Sequence, residues 1–170
     1  MIIPYSRVVG AKVFETKSQS ILGEIDDIVF SETNLVILAL TIKSPTFIKR
    51  DTKAISTTDI ISLNNYAVMV GNKEAVSNLK DLVRVASAIN KGFVGINQIV
   101  VTQSGRKVGR VFDYLIDSAS FAITKIYTKS ILKERIIPAS AITDIQGHKI
   151  IIKDDYGLAE ISTTLAVESI

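Results

Sequence analysis

Few side chains in this 170-residue sequence are of types that carry chemistry, and their spacing limits what they could do. Cysteine is absent and His148 is the single histidine. Without cysteine there is no thiol nucleophile, no disulfide and no thiolate metal site. A lone His after Gly147 in a turn is a poor nucleus for a transition metal. Asp26 and Asp27 could be read as carboxylates sharing a proton or a cation, but adjacent strand residues point to opposite faces. Gly105-Arg106-Lys107-Val108-Gly109-Arg110 has the glycines and cations of a phosphate loop. Such a loop ends in Gly-Lys-Ser/Thr and opens a helix. Here Val111-Phe112-Asp113-Tyr114-Leu115 follows, a strand pattern, so a hairpin is the better reading. No nucleophile–base pair is evident. The expectation is a protein with no catalytic residue, no cofactor and no metal site.

Two basic segments are the remaining candidates. Lys43, Lys49, Arg50 and Lys53 cluster with Phe47; Lys125, Lys129, Lys133 and Arg135 cluster near Tyr127. Cations beside an aromatic could hold an RNA backbone and stack a base. They could equally form a solvated rim, with Asp51 and Glu134 offsetting part of the charge. Lys49, Arg50, Lys129 and Lys133 are the candidate contacts to a partner or to RNA.

The elements that must position these residues occur twice. Leu22-Gly23-Glu24-Ile25-Asp26-Asp27-Ile28-Val29-Phe30 returns as Val108-Gly109-Arg110-Val111-Phe112-Asp113-Tyr114-Leu115-Ile116, at a register of 86. Ile55-Ser56-Thr57-Thr58-Asp59-Ile60 returns as Ile137-Pro138-Ala139-Ser140-Ala141-Ile142, at a register of 82. A repeat with small length changes is the mark of duplication. It makes Asp27 and Asp113 equivalent acids, either ion or partner contacts or carboxylates accepting backbone N–H groups near a bend. Apolar patterning predicts strands over 8–14, 21–31, 55–59 and 66–70, with 35–42, apolar on both faces, as the central strand of the first unit, and again over 95–102, 107–117, 121–128, 135–138 and 149–153. Asn64-Asn65 suits a tight turn between strands. Ala75, Val76, Leu79, Leu82, Val83, Ala86 and Ile89 recur at helical spacing, which predicts a joining helix over 72–90 with Asn72 as N-cap and Gly92 as terminator. The tail, 158–170, reads as a short helix or an added strand. The domains are then 1–71, a linking helix at 72–91, and 92–170.

Composition agrees with an ordered, strand-rich chain: 47% apolar and 22% charged residues, with many β-branched side chains. The net charge of +3 is spread too evenly for a basic nucleic-acid arm. The N-terminus has no basic segment followed by an apolar core, and the longest apolar stretch, 35–42, is far short of the ~20 residues a spanning helix needs. A cytoplasmic protein without membrane insertion is expected.

Val9-Gly10-Ala11-Lys12-Val13, the strand Ile21 to Phe30, and Ile55-Ser56 before Asp59-Ile60 resemble the PRC-barrel domain. The second copy is closer: Ser104-Gly105-Arg106-Lys107-Val108-Gly109-Arg110-Val111-Phe112-Asp113 through Asp117 matches the family's glycine turn, strand and acidic strand end, and Ile137-Pro138 its later segment. The first copy departs at Ser31, where the second has Asp117, and at Ser56, where the second has Pro138. The resemblance makes Gly23, Asp27, Gly109, Asp113, Asp117 and Pro138 family-motif positions with structural roles. It implies a mainly β fold of two small PRC-like barrels in tandem, joined by an amphipathic helix, in a stand-alone prokaryotic member. The family includes the cytoplasmic part of the photosynthetic reaction-centre H subunit and ribosome maturation factors of the RimM type. The functional expectation is a non-enzymatic adaptor that binds a protein partner. The alternatives are an RNA- or ribosome-assembly factor, and a small-ligand binder or enzyme with a site between the units; a homodimer is open.

Overall fold

A computed structural model describes residues 1–31, 33–45, 52–91, 96–131 and 133–154. The fold is mainly β. In chain order the elements are β1 (Ile2–Pro4), α1 (Tyr5–Val8), β2 (Lys12–Glu15), β3 (Ile21–Phe30), β4 (Ile37–Lys43), β5 (Lys53–Ser56), β6 (Ile60–Leu63), β7 (Ala67–Val70), β8 (Val76–Asn78) and α2 (Val83–Asn90), then β9 (Ile99–Thr102), β10 (Lys107–Asp117), β11 (Ala122–Lys129), β12 (Glu134–Pro138), β13 (Ile142–Gln146) and β14 (Lys149–Ile152). They form two seven-stranded sheets. The first runs β6-β7-β2-β3-β4-β5-β8 and the second β13-β14-β9-β10-β11-β12, with β1 also on β10. The shared order, including one parallel pair in each sheet, β2 with β7 and β9 with β14, is the sequence repeat expressed in three dimensions.

The repeat extends to irregularities. β3 bulges between Ile25 and Asp27, and β10 between Val111 and Asp113. A bulge inserts one residue, bends the strand and strengthens its twist. Gly23 and Gly109 occupy equivalent sites of close approach: an added Cβ would lie 2.4 Å from the Lys43 carbonyl oxygen and 2.7 Å from that of Lys129. Leu35 and Phe121, 86 positions apart, both take the left-handed conformation, with φ of 55°. Ser31 and Asp117 are unlike in type but alike in work, each accepting a hydrogen bond from the backbone two residues on, at Thr33 and Ala119. Likewise, Ser56 caps the 3₁₀ turn after β5 with its side chain, while Pro138 starts the turn after β12 with φ fixed at −70°.

The two sheets share one core. Ile3, Tyr5, Ile28, Phe30 and Leu40 from the first half pack in one cluster with Val111, Tyr114, Ile116 and Ile126 from the second. β1 crosses over, pairing Ile3 with Ile116 in the second sheet. This strand is too short and too near the chain start for periodicity to reveal it.

Several expectations change: the strand expected over 55–59 ends at Ser56, with a 3₁₀ turn at Thr57–Asp59, and the one expected over 95–102 begins at Ile99. The joining helix is confined to Val83–Asn90; Lys73–Ala75 and Leu79–Asp81 form 3₁₀ turns on either side of β8, because β-branched Val76 and Ser77-Asn78 pair along the edge of β5 instead. Asn72 precedes a 3₁₀ turn and its side chain makes no cap. Residues 8–11 turn rather than extend, with Gly10 at φ 84° and Ala11 N–H bonded to the Val8 carbonyl. Finally, Leu35 belongs to a turn, and the central strand starts at Ile37. Gly92, 94–95 and the tail 158–170 lie outside the described residues.

The glycine contact gives a direct check. Gly23→Ala is expected to destabilise the protein by about 1–3 kcal/mol in chemical denaturation, because backbone must move to admit the methyl. Gly71→Ala, where the nearest atom is 3.7 Å away, should stay within about 0.5 kcal/mol of the parent protein.

Candidate functional site

The equivalent acids, Asp27 and Asp113, are brought to the same place by α1. This four-residue helix lies across the junction of the sheets and hands one residue to each acid. Tyr5 Oη donates to Asp27 Oδ1 at 2.7 Å, and Asp27 Oδ1 also accepts the Ile28 N–H at 2.7 Å. Ser6 Oγ donates to Asp113 Oδ2 at 2.6 Å, while the Ser6 and Tyr114 N–H groups donate to Asp113 Oδ1 at 3.1 and 2.8 Å. Each bulge thus aims a carboxylate at α1, and both acids accept backbone donors. Behind them Tyr114 is fully buried, 5.0 Å from the Phe30 ring and 5.9 Å from that of Tyr5, with its hydroxyl on Gln98 Oε1 at 2.6 Å. Burial, followed by its bond to Asp27, pushes the Tyr5 phenol well above the ordinary tyrosine value. Burial does the same to Tyr114. This constellation ties the halves together.

Asp26 and Asp27 are not a pair. Asp26 is the bulged residue and faces Lys43 at 3.5 Å. Asp117 caps the turn after β10; hydrogen bonds from the Ser120 side chain and the Ala119 backbone hold its carboxyl below the usual range. His148 is exposed. Among the described residues no group of three or more His, Asp or Glu side chains is placed to hold a metal ion.

One surface feature with chemical character is a groove of about 510 Å³ at one end of the second sheet. Lys107, Val108, Gly109 and Arg110 of β10 form one wall, and Lys129, Ser130, Ile131 and Lys133 the other. Gly109 lets the Lys129 carbonyl close over β10 and so shapes the floor. Ile131 is 99% exposed. Lys129 pairs with Glu134 at 3.2 Å, and Arg110 Nη1 is oriented by the Asn97 carbonyl at 3.0 Å. Beside the groove, the rings of Phe112 and Tyr127 lie 6.0 Å apart. Of the four candidate contacts in the sequence, Lys129 and Lys133 meet here; Lys49 and Arg50 lie outside the described residues.

Lys107 and Arg110 complete the groove, although in the sequence they stand out only within the glycine turn and the strand after it. The signal that finds them is a comparison of the copies. Arg110 stands where the first unit has Glu24, which pairs with Lys12, and Phe112 where it has Asp26, which pairs with Lys43. Two carboxylates of the first unit have become a cation and an aromatic ring, leaving the second unit basic at this end.

Two comparisons bear on these observations. Residues 1–76 match the family model for the PRC-barrel domain, a span that takes in β1 to β7. No curated protein matches the chain.

The tyrosines set the alkaline limit of stability. A phenol whose folded-state value is raised adds stability that is fully present below about pH 10 and is lost as pH climbs beyond it, since the unfolded chain gives up the proton first. The melting temperature should therefore fall above about pH 10, and Tyr5→Phe should flatten that fall, as read by circular dichroism melts across the alkaline range.

Proposed function

We propose that this chain is a non-enzymatic interaction module whose second half is a further copy of the PRC-barrel domain, and that its groove at Gly109 docks an acidic, partly apolar segment of a protein partner. The observation that carries the reading is the groove itself: Lys107, Arg110, Lys129 and Lys133 ring a floor of Val108 and Gly109, with Ile131 exposed at the rim. Four cations in one opening attract a polyanion and speed its arrival. The apolar floor and Ile131 add contacts that a phosphate backbone alone would not use, which favours a peptide carrying both carboxylates and a large apolar side chain. The repeat supports the same view, because it preserves the scaffold and changes the surface.

One observation favours a second reading, contact with single-stranded RNA. Phe112, 39% exposed, and Tyr127 form an aromatic pair next to Arg110 and Lys129. Bases stack on such rings while cations hold the phosphates.

The test is fluorescence anisotropy with two labelled probes of equal charge, a peptide alternating Glu and Leu and a single-stranded RNA, each titrated at rising salt. Tighter binding of the peptide, reduced at least about tenfold by Arg110→Glu with Lys129→Glu in a folded variant, is the expected result. Tighter binding of RNA with a steep salt slope would establish the second reading instead. No binding of either probe, or binding indifferent to the charge reversals, would overturn the groove assignment.

A further inference from the structure

Where the halves meet, the turn at 33–35 and the strand β13 face each other across a cleft of about 580 Å³. Cavities of about 300–1,000 Å³ between units of a fold are the usual places for small ligands. Leu35, Ile123, Ala139 and Ile142 make its floor and pack with the core. Thr33, Asn34, Thr143 and Asp144 stand exposed at its rim. Asp144 is the one charged side chain among the described residues of the cleft. Its Oδ1 accepts the Ile145 N–H at 2.8 Å, and its Oδ2 accepts the Gln146 side-chain amide at 2.7 Å. Both donors are neutral, and each oxygen keeps capacity to accept another. Among the described residues no lysine or arginine pairs with this carboxylate.

The repeat shows how the cleft is made. By the registers of 86 and 82, the two-fold related place takes Phe121 for Leu35, Thr57 for Ala139, Ile61 for Thr143 and Ser62 for Asp144. The Thr57 hydroxyl donates to the Ile37 and Leu38 carbonyls at 3.3 and 3.4 Å. Ala139 brings no hydroxyl to the corresponding carbonyls of Ile123 and Thr124. Leu35 is smaller than Phe121 and Ala139 smaller than Thr57, so two exchanges give the second cleft room. Thr143 and Asp144 give it a polar rim and a negative charge. All four differences work in one direction, toward a site that receives a donor. The wall between the halves is held in place, because the Ile123 N–H donates to the Leu35 carbonyl at 2.8 Å.

We propose that this cleft binds an aliphatic primary ammonium, with its charge on Asp144 and its methylene stem along Leu35, Ile123 and Ile142. The apolar floor suits a hydrocarbon stem, and one carboxylate suits one positive charge. A guanidinium binds best through both oxygens of a carboxylate at once, and here each oxygen already holds a protein donor. An ammonium is a compact charge with three diverging donors. It can take one oxygen of Asp144 and a neutral oxygen of the rim. The Thr143 hydroxyl is such an acceptor, because its own proton is directed to the Ile151 carbonyl at 3.2 Å. This site stands apart from the groove at Gly109 and does not depend on that assignment.

The test is an NMR titration of the isotope-labelled full chain with pentylammonium and with pentanoate, which share a stem and differ in the sign of their charge. The expected result is saturable shifts at the amides of 33–35 and 143–145, with pentylammonium bound at least about tenfold more tightly than pentanoate. Asp144→Asn, which keeps the shape of the side chain, is expected to remove that preference. Asp59→Asn, which removes an exposed carboxylate outside the cleft, is expected to leave it unchanged. Ala139→Thr, the residue of the first unit, is expected to weaken binding by filling the floor. Equal affinity for the two probes, no saturable binding, a preference that survives Asp144→Asn, or an affinity unmoved by Ala139→Thr would overturn the proposal. A third probe, Nα-acetyl-lysine methylamide, separates two sources of the ammonium. Tighter binding than pentylammonium assigns the cleft to a lysine side chain of another protein, and weaker binding assigns it to a free amine; either upholds the site.

Discussion

The halves of this protein are held by a contact that each makes with its own equivalent. The Ile37 N–H donates to the Phe121 carbonyl at 2.8 Å, and the Ile123 N–H to the Leu35 carbonyl at 2.8 Å. Val36 bridges Ala122 between them. Each residue is paired with one whose counterpart, 86 positions away, makes the mirror bond. This is the isologous geometry of a symmetric dimer, written within one chain. Leu35 and Phe121 enter the left-handed region to make it, a conformation that costs a non-glycine residue energy and persists only where the surroundings enforce it.

The other shared features follow from that contact. With the turns joined, β3 and β10 lie close enough for Phe30 and Tyr114 to stack, and their bulges bring Asp27 and Asp113 to one junction. The symmetry is broken there by α1, which gives a tyrosine to one acid and a serine to the other, and by β1, which adds to β10. One continuous core is the result. A small unit of about 80 residues is marginal alone, so sharing a core is physically advantageous. Once the scaffold is fixed in duplicate, surface positions are free to diverge. Glu24 against Arg110 and Asp26 against Phe112 show how one end is charge-paired in one copy and basic and aromatic in the other.

Much of the architecture was legible in the sequence because repeat and alternation are strong signals. The positions of β3, β4, β10 and β11 and the hairpin at Gly105 were readable from alternation and turn chemistry, and the equivalence of Gly23 with Gly109 and of Asp27 with Asp113 from the repeat. What escaped was nonlocal. β1 is three residues long and pairs more than a hundred positions away. Residues 73–82 carry apolar side chains at helical spacing, yet an open strand edge competed for them and won. The groove was half visible: Lys129 and Lys133 stood out as charges in a connection, whereas Lys107 and Arg110 gained meaning only when folding set β10 beside β11.

With one shared core the two sheets form one cooperative unit, and differential scanning calorimetry of the full chain tests that most directly. The expected result is a single transition whose calorimetric and van't Hoff enthalpies agree, shifted as a whole by Tyr114→Leu. Two resolved transitions, with Tyr114→Leu moving one and leaving the other in place, would contradict it.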